Sequence, residues 1–160
     1  MNGFWTDRAW RIDRMMWRFK RSGGFGKETW PYDDAPREIR EIIHRSISLN
    51  DHEVVLVVYF RDPSTWTLLT SDRLIGEAIG SGINEDLRAI TDIRSDVRKG
   101  MLGVDGKVRQ RSIETLTVEA GTKSYTVSIE GPFKSGPQLG LLNAVLMLIR
   151  TNQSSQRAQG

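Results

Sequence analysis

The chain has 160 residues, a net charge of +3 and no cysteine. That length suits one domain with modest extensions, and the lack of thiols excludes disulfide staples and thiolate chemistry, so the fold must rest on packing alone. With its 15 glycines counted and its 3 tyrosines set aside, the apolar share is about 46%, an ordinary globular value that excludes a chain disordered throughout.

The small net charge conceals a segregation: residues 1–27 carry +5, 28–93 carry −7, 94–111 carry +4 and 112–160 carry +1. Two basic segments flank an acidic middle, a pattern that steers an anionic partner or lets two copies of one protein meet. The longest apolar runs, Val54–Phe60 and Ala144–Ile149, fall far short of the about 20 residues a membrane span needs. The N-terminus shows no secretory-signal pattern. A cytoplasmic protein is the expectation, with a peripheral place at a membrane left open by the first helix.

That helix is predicted over Thr6–Arg21, TDRAWRIDRMMWRFKR, with Thr6 as N-cap and Asp7 near the positive helix end. Ile12, Met15, Met16 and Phe19 share one face, Arg11, Arg14 and Arg18 line a flank, and Trp10 and Trp17 stand a heptad apart. The leading expectation is a helix docked on its own domain or on a second subunit; an interfacial helix at a membrane surface ranks second. The following SGGFGK, Ser22–Lys27, reads as a hinge. It lacks the Gly-x4-Gly-Lys-Ser/Thr spacing of a phosphate loop.

A second helix is predicted after Asp33 and Asp34, with Ala35 and Pro36 in the first turn and Ile39, Ile42, Ile43 and Ile47 on the buried side. His44 within it and His52 just beyond, eight residues apart and outside any HExxH pattern, make a poor metal site. No metal and no cofactor is expected.

From Glu53 the period becomes that of a strand. EVVLVVYF is predicted as a well-buried strand, RDPST as a turn and TWTLLT as the hairpin partner. RLIGEAIG follows as the next strand across Ser71 and Asp72. The polar group Thr70-Ser71-Asp72-Arg73 reads as a turn, since Ser and Asp side chains bond nearby backbone; neither histidine is close enough in sequence to suggest a catalytic triad.

SGINED is predicted as loop. A fourth strand alternates Ile93, Ser95 and Val97 against Arg94, Asp96 and Arg98, and MLGVDGKVRQR is a glycine-containing loop or hairpin tip. SIETLTVEA and KSYTVSIE form a hairpin around Gly121 and Thr122, with Tyr125, Val127 and Ile129 in period two. The short connections make the sheet antiparallel. A last helix opens at Ser135 with Pro137 in its first turn and carries the stripe Leu139, Leu142, Val145, Leu146 and Ile149. Thr151–Gly160 is predicted as a frayed, disordered tail.

The order of these elements, with Leu69-Thr70-Ser71-Asp72-Arg73-Leu74-Ile75, the ITDI entry at Ile90–Ile93 and the hairpin LTVEAGTKSYTVSI, resembles a bacterial pleckstrin-homology-like domain and its GRAM relatives over about residues 50–150. The resemblance implies an α+β fold: a split, curved antiparallel barrel plugged by the C-terminal helix, with two extra N-terminal helices. The elements themselves divide the chain into a helix and hinge at 1–27, the domain with its preceding helix at 28–150, and the tail at 151–160. The resemblance also implies a binding module. The phosphoinositide site of lipid-binding members does not carry over, because the first loop, RDPST, is short and sets Arg61 beside Asp62.

The favoured function is a non-enzymatic interaction module that contacts a protein partner or itself, using Trp10, Trp17, Arg11, Arg14 and Arg18, since aromatic residues and arginine are enriched at contact hot spots. A peripheral membrane module using the same helix is the alternative. An enzyme ranks lowest, because no catalytic motif and no small-molecule substrate pattern is visible. For an acidic surface or headgroups the second candidate is the basic loop of Arg94, Arg98, Lys99, Lys107, Arg109 and Arg111. It lacks the interleaved aromatics that stack bases, which argues against nucleic acid.

Overall fold

The computed structural model describes residues 3–21, 26–78, 81–95, 113–130 and 137–159. Their elements run α1 (Gly3–Thr6), α2 (Arg8–Arg21), β1 (Thr29–Pro31), a 3₁₀ turn (Tyr32–Asp34), α3 (Arg37–Ser46), β2 (Val55–Asp62), β3 (Thr65–Thr70), β4 (Arg73–Ala78) and β5 (Ser81–Asp86). A 3₁₀ turn (Leu87–Ala89), β6 (Asp92–Ser95), β7 (Ile113–Ala120), β8 (Lys123–Glu130) and α4 (Pro137–Gln159) complete the chain. The fold is α+β with two antiparallel sheets, one ordered β1-β2-β3-β4-β5 and the other β6-β7-β8. Among the described residues no strand pairing closes them into a single barrel.

The apolar run of β2 is explained by burial on both faces. On the inner side Leu56, Val57, Leu69 and Leu74 join Leu116, Val118, Val127 and Ile129 of the other sheet in one core. On the outer side Val55, Val58, Phe60, Trp66, Leu68 and Ile75 are covered by α3 and the segment before it, through Ile43, Ala35 and the half-buried Trp30, Ile39, Ile42 and Ile47. A register shift between Val55 and Val57 places Leu56 and Val57 together on the inner side, as a bulge does. The β3–β4 and β7–β8 hairpins stand where the turn residues put them, with Leu69 opposite Leu74 and Ala120 opposite Lys123.

Two strands were not legible. SGINED is β5, paired with β4 along its whole length, not a loop. It is an edge strand with Ile83 alone fully buried, so it carries almost no apolar alternation to read. β1 pairs with β2 at Trp30 opposite Val58. Its start and the two residues before it are held from the far sheet, where the Glu130 carboxylate accepts the Lys27 amide at 2.8 Å, the Glu28 amide at 3.2 Å and the Thr29 hydroxyl at 2.6 Å.

Helix α4 seats its apolar face in the inner core, but the fully buried residues are Leu141, Ala144, Val145, Leu148 and Ile149. Of the predicted stripe, Val145 and Ile149 are there, Leu146 is half-buried, and the side chains of Leu139 and Leu142 lie outside those described. The period was right and its centre shifted, because α2 covers part of α4 and moves the buried meridian toward it. The predicted frayed tail is corrected as well: α4 continues to Gln159. Thr151 and Ser154 donate their hydroxyls to the carbonyls of Met147 and Arg150 at 2.8 and 2.9 Å, which satisfies these hydroxyls within the helix. No helix among the described residues is long and apolar enough to cross a membrane.

The first segment is also part of the domain. Helix α2 buries Met15 and Phe19 completely in the same core as the two sheets, packed against α4. Its entry differs from the predicted Thr6 cap. Thr6 closes the short α1, and Asp7 caps α2: its Oδ1 accepts the Trp10 amide at 2.9 Å and its carbonyl accepts the Arg11 amide at 3.0 Å.

Candidate functional site

At 100° per residue, the meridian of α2 opposite Met15 and Phe19 runs through Trp10 and Trp17, flanked by Arg14 and Arg21. The two indoles are 43% and 45% exposed, unusual for the largest apolar side chain. Seven residues place them two turns, about 10 Å, apart along the axis, so both can meet one flat surface. Arg14 lies over the Trp10 ring at 5.1 Å, and Arg18 and Arg21 lie over Trp17 at 5.5 and 4.9 Å. Each stack is worth about 0.5–1 kcal/mol at an exposed site. It restrains the indoles and holds cations around them. Asp13 is the acid on this outer side of α2.

Arg11 does not belong to this face. It is 4% exposed, and its guanidinium donates to the Ser71 carbonyl at 3.0 Å, to the Asp72 carboxylate at 3.0 Å and to the Trp5 carbonyl at 3.3 Å. It is a docking residue that turns inward at the edge of the apolar stripe. Arg8, one turn earlier, pairs with the other oxygen of Asp72 at 2.9 Å. Trp5 is half-buried under Arg11 and Arg88, whose guanidinium carbons lie 5.6 and 5.2 Å from its ring centre.

The group Thr70–Arg73 is thus a structural junction. Thr70 Oγ1 accepts the amides of Asp72 and Arg73 at 3.1 and 2.7 Å and donates to Glu53 at 2.6 Å. Ser71 Oγ accepts the Val54 amide at 3.1 Å. The Asp72 carbonyl accepts the Leu87 amide at 2.9 Å. Arg73 grips the fully buried Glu53 carboxylate through two contacts of 2.8 Å and reaches the Ser48 carbonyl at 2.8 Å. Burial alone would raise the Glu53 pKa. The hydrogen bonds from Arg73, Thr70 and the Asn50 amide overcome that and hold it below the usual glutamate range. One turn thereby fixes α2, the loop before β2 and the 3₁₀ turn after β5.

Of the second predicted patch, only Arg94 falls among the described residues. Arg94 is spent on Asp92 and Glu119, across β6 and β7. Arg98, Lys99, Lys107, Arg109 and Arg111 lie outside the described residues. His44 is exposed on α3 beside Arg40 and Arg45, and His52 is exposed in a turn at φ 63°. Among the described residues no group of His, Asp and Glu side chains gathers as metal ligands. Sequence reasoning missed Asp72, Arg8 and Arg88 as one cluster. The signal was faint, two arginines three apart with a lone turn acid sixty residues on.

No protein-family model, curated protein or solved structure matches the chain.

Proposed function

We propose that this protein is an interaction module that contacts an acidic protein surface through the outer meridian of α2, with Trp10 and Trp17 as anchors and Arg14, Arg18 and Arg21 as the charged rim. The observation that carries this reading is the exposure of both indoles, 43% and 45%, on a helix whose opposite face is fully buried. A helix free to turn would bury its tryptophans first. This one is fixed by Arg11, Met15 and Phe19 with the indoles outward, so their exposure is built in. A second copy of the chain offers a suitable acidic surface in the exposed Asp33, Asp34 and Glu38.

The pleckstrin-homology-like scaffold remains part of the proposal. It is supported by the order of the strands, four in the β2–β5 meander and three in β6–β8, and by the seat of α4 in the core between the sheets. In this reading β1, α3 and α2 are additions around that scaffold.

Light scattering after size exclusion tests the function. The expected result is a mass that rises above the monomer with concentration, falls with added salt, and returns to the monomer in the Trp10→Ser/Trp17→Ser variant. A monomer under every condition overturns contact with a second copy. Salt-sensitive flotation with phosphatidylserine vesicles that is lost in the same variant would move the assignment to a membrane surface.

A further inference from the structure

A shallow cleft of about 360 Å³ lies on the outer side of α3 and the 3₁₀ turn before it, lined by Tyr32, Arg37, Arg40, Glu41, His44 and Arg45. The volume lies in the range of small-molecule sites, about 300–1,000 Å³. Not one aliphatic side chain lines it, so an apolar ligand would gain little by entering.

Arg40 sets this cleft apart. Of the described arginines, Arg8, Arg11, Arg40 and Arg73 are buried or half-buried. Arg8 and Arg11 share the Asp72 carboxylate, and Arg73 holds Glu53. Arg40 meets no carboxylate among the described residues, and its buried Nε–H has no acceptor there. Donors taken out of water are ordinarily paired. The position follows from the helix: three residues before the fully buried Ile43, Arg40 stands about 60° from it around the axis, so its stem flanks the apolar stripe while the residue also lines the cleft.

The charges in the cleft do not cancel. Glu41 is the one acid of its lining, and Arg37 already holds it at 2.9 Å. Arg40 and Arg45 remain as two cations without an ion pair among the described residues, and His44 stands one turn from Arg40. Asp33, Asp34 and Glu38, the nearest further acids along the chain, are outside the lining.

We propose that this cleft binds a phosphate monoester, with Arg40 as its principal contact. Such a group carries about −1.5 to −2 charge at pH 7 and three acceptor oxygens, which answers both guanidinium groups at once; a carboxylate brings a single charge and two oxygens. The planar end of Arg40 offers parallel hydrogen bonds to two phosphate oxygens. Because Nε is packed away, that end is held before the ligand arrives, and little side-chain freedom is lost on binding. His44 and the Tyr32 hydroxyl are further donors at the rim. The site needs nothing from the outer face of α2 and is independent of the function proposed for it.

The test is a titration of the full-length protein at neutral pH with glycerol phosphate and with N-acetyl-phosphoserine amide, read on the imidazole resonances of His44, with sodium chloride matched for ionic strength. A saturable shift with both esters, absent with chloride, is expected, and the tighter of the two names the carrier of the phosphate, a small molecule or a modified protein. Arg40→Gln should weaken binding by about tenfold or more, and Arg40→Lys, which keeps the charge and loses the fork, should fall between. Glu41→Gln, which removes the one acid, should tighten it. The Trp10→Ser/Trp17→Ser variant should bind as the parent does, which separates this site from the contact proposed for α2. No saturable shift, a shift that chloride reproduces, or unchanged affinity in both Arg40 variants overturns the proposal. Acetate competing as tightly as the esters overturns the phosphate assignment.

Discussion

The guanidinium of Arg11 lies 3.0 Å from the carboxylate of Asp72, 61 residues further along the chain. This contact decides which way α2 faces, and with it whether Trp10 and Trp17 meet the core or the solvent. Asp72→Asn would leave the buried Arg11 without its counter-charge, a loss of about 3–5 kcal/mol. Arg8→Gln removes the more exposed partner, 38% accessible in its side chain, and should cost less than about 1 kcal/mol. Urea unfolding of the two variants measures the difference, and equal losses would show that Arg11 is not the anchor.

Replacing both exposed indoles, Trp10→Ser with Trp17→Ser, removes the stacks of Arg14, Arg18 and Arg21 and should lower stability by about 1–3 kcal/mol, at about 0.5–1 kcal/mol for each. The same variant should lose most of the emission that acrylamide quenches, because Trp66 is buried and Trp5 and Trp30 are half-buried. Steady-state quenching checks this without any knowledge of the partner. A quenchable fraction that survives the double substitution would place the accessible indoles elsewhere.

At Gly140, α4 lies close against Phe19 of α2. A Cβ there would stand 2.7 Å from the Phe19 carbonyl oxygen and 2.8 Å from its ring. Alanine normally strengthens a helix over glycine by about 1 kcal/mol, so the sign of Gly140→Ala separates two effects. Overpacking costs about 1–3 kcal/mol, and backbone cannot yield as a side chain does. A lowered melting temperature is expected; a raised one would mean that α2 and α4 are further apart.

The Glu53–Arg73 pair sets the acid limb of stability. The folded pKa of Glu53 is held below its unfolded value, near 4.5, so its contribution is complete above that pH. It is lost as pH falls through the depressed folded value. Glu53→Gln should therefore lower stability at neutral pH and flatten its decline below pH 4.5. Melting temperatures of the two proteins across this acidic range should converge. A constant offset would assign the acid limb to other carboxylates.

Local periodicity carried much of the fold. The amphipathic spacing of Met15 and Phe19, the run Val55–Phe60, the two-residue turn at Ser71 and Asp72, and the alternation of Val127 and Ile129 all state their element type within a few residues, because helix and strand impose periods of 3.6 and 2 on whatever is buried. Where burial was slight, as in β5 with its lone Ile83, or where helix was continued by polar side chains, as after Arg150, that signal vanished.

The sequence alone determined an antiparallel α+β chain with a Trp- and Arg-bearing first helix. Only the tertiary structure decided where those arginines stand. Arg11 and Arg14 look alike in the sequence, three residues apart and both on the flank of an apolar stripe. One is consumed by Asp72 and the other stacks on Trp10 in the open. Charge pairing acts through space and carries no period along the chain, so the difference between a buried anchor and a solvent-facing arginine came into existence only once β3 and β4 had brought their turn beneath the helix.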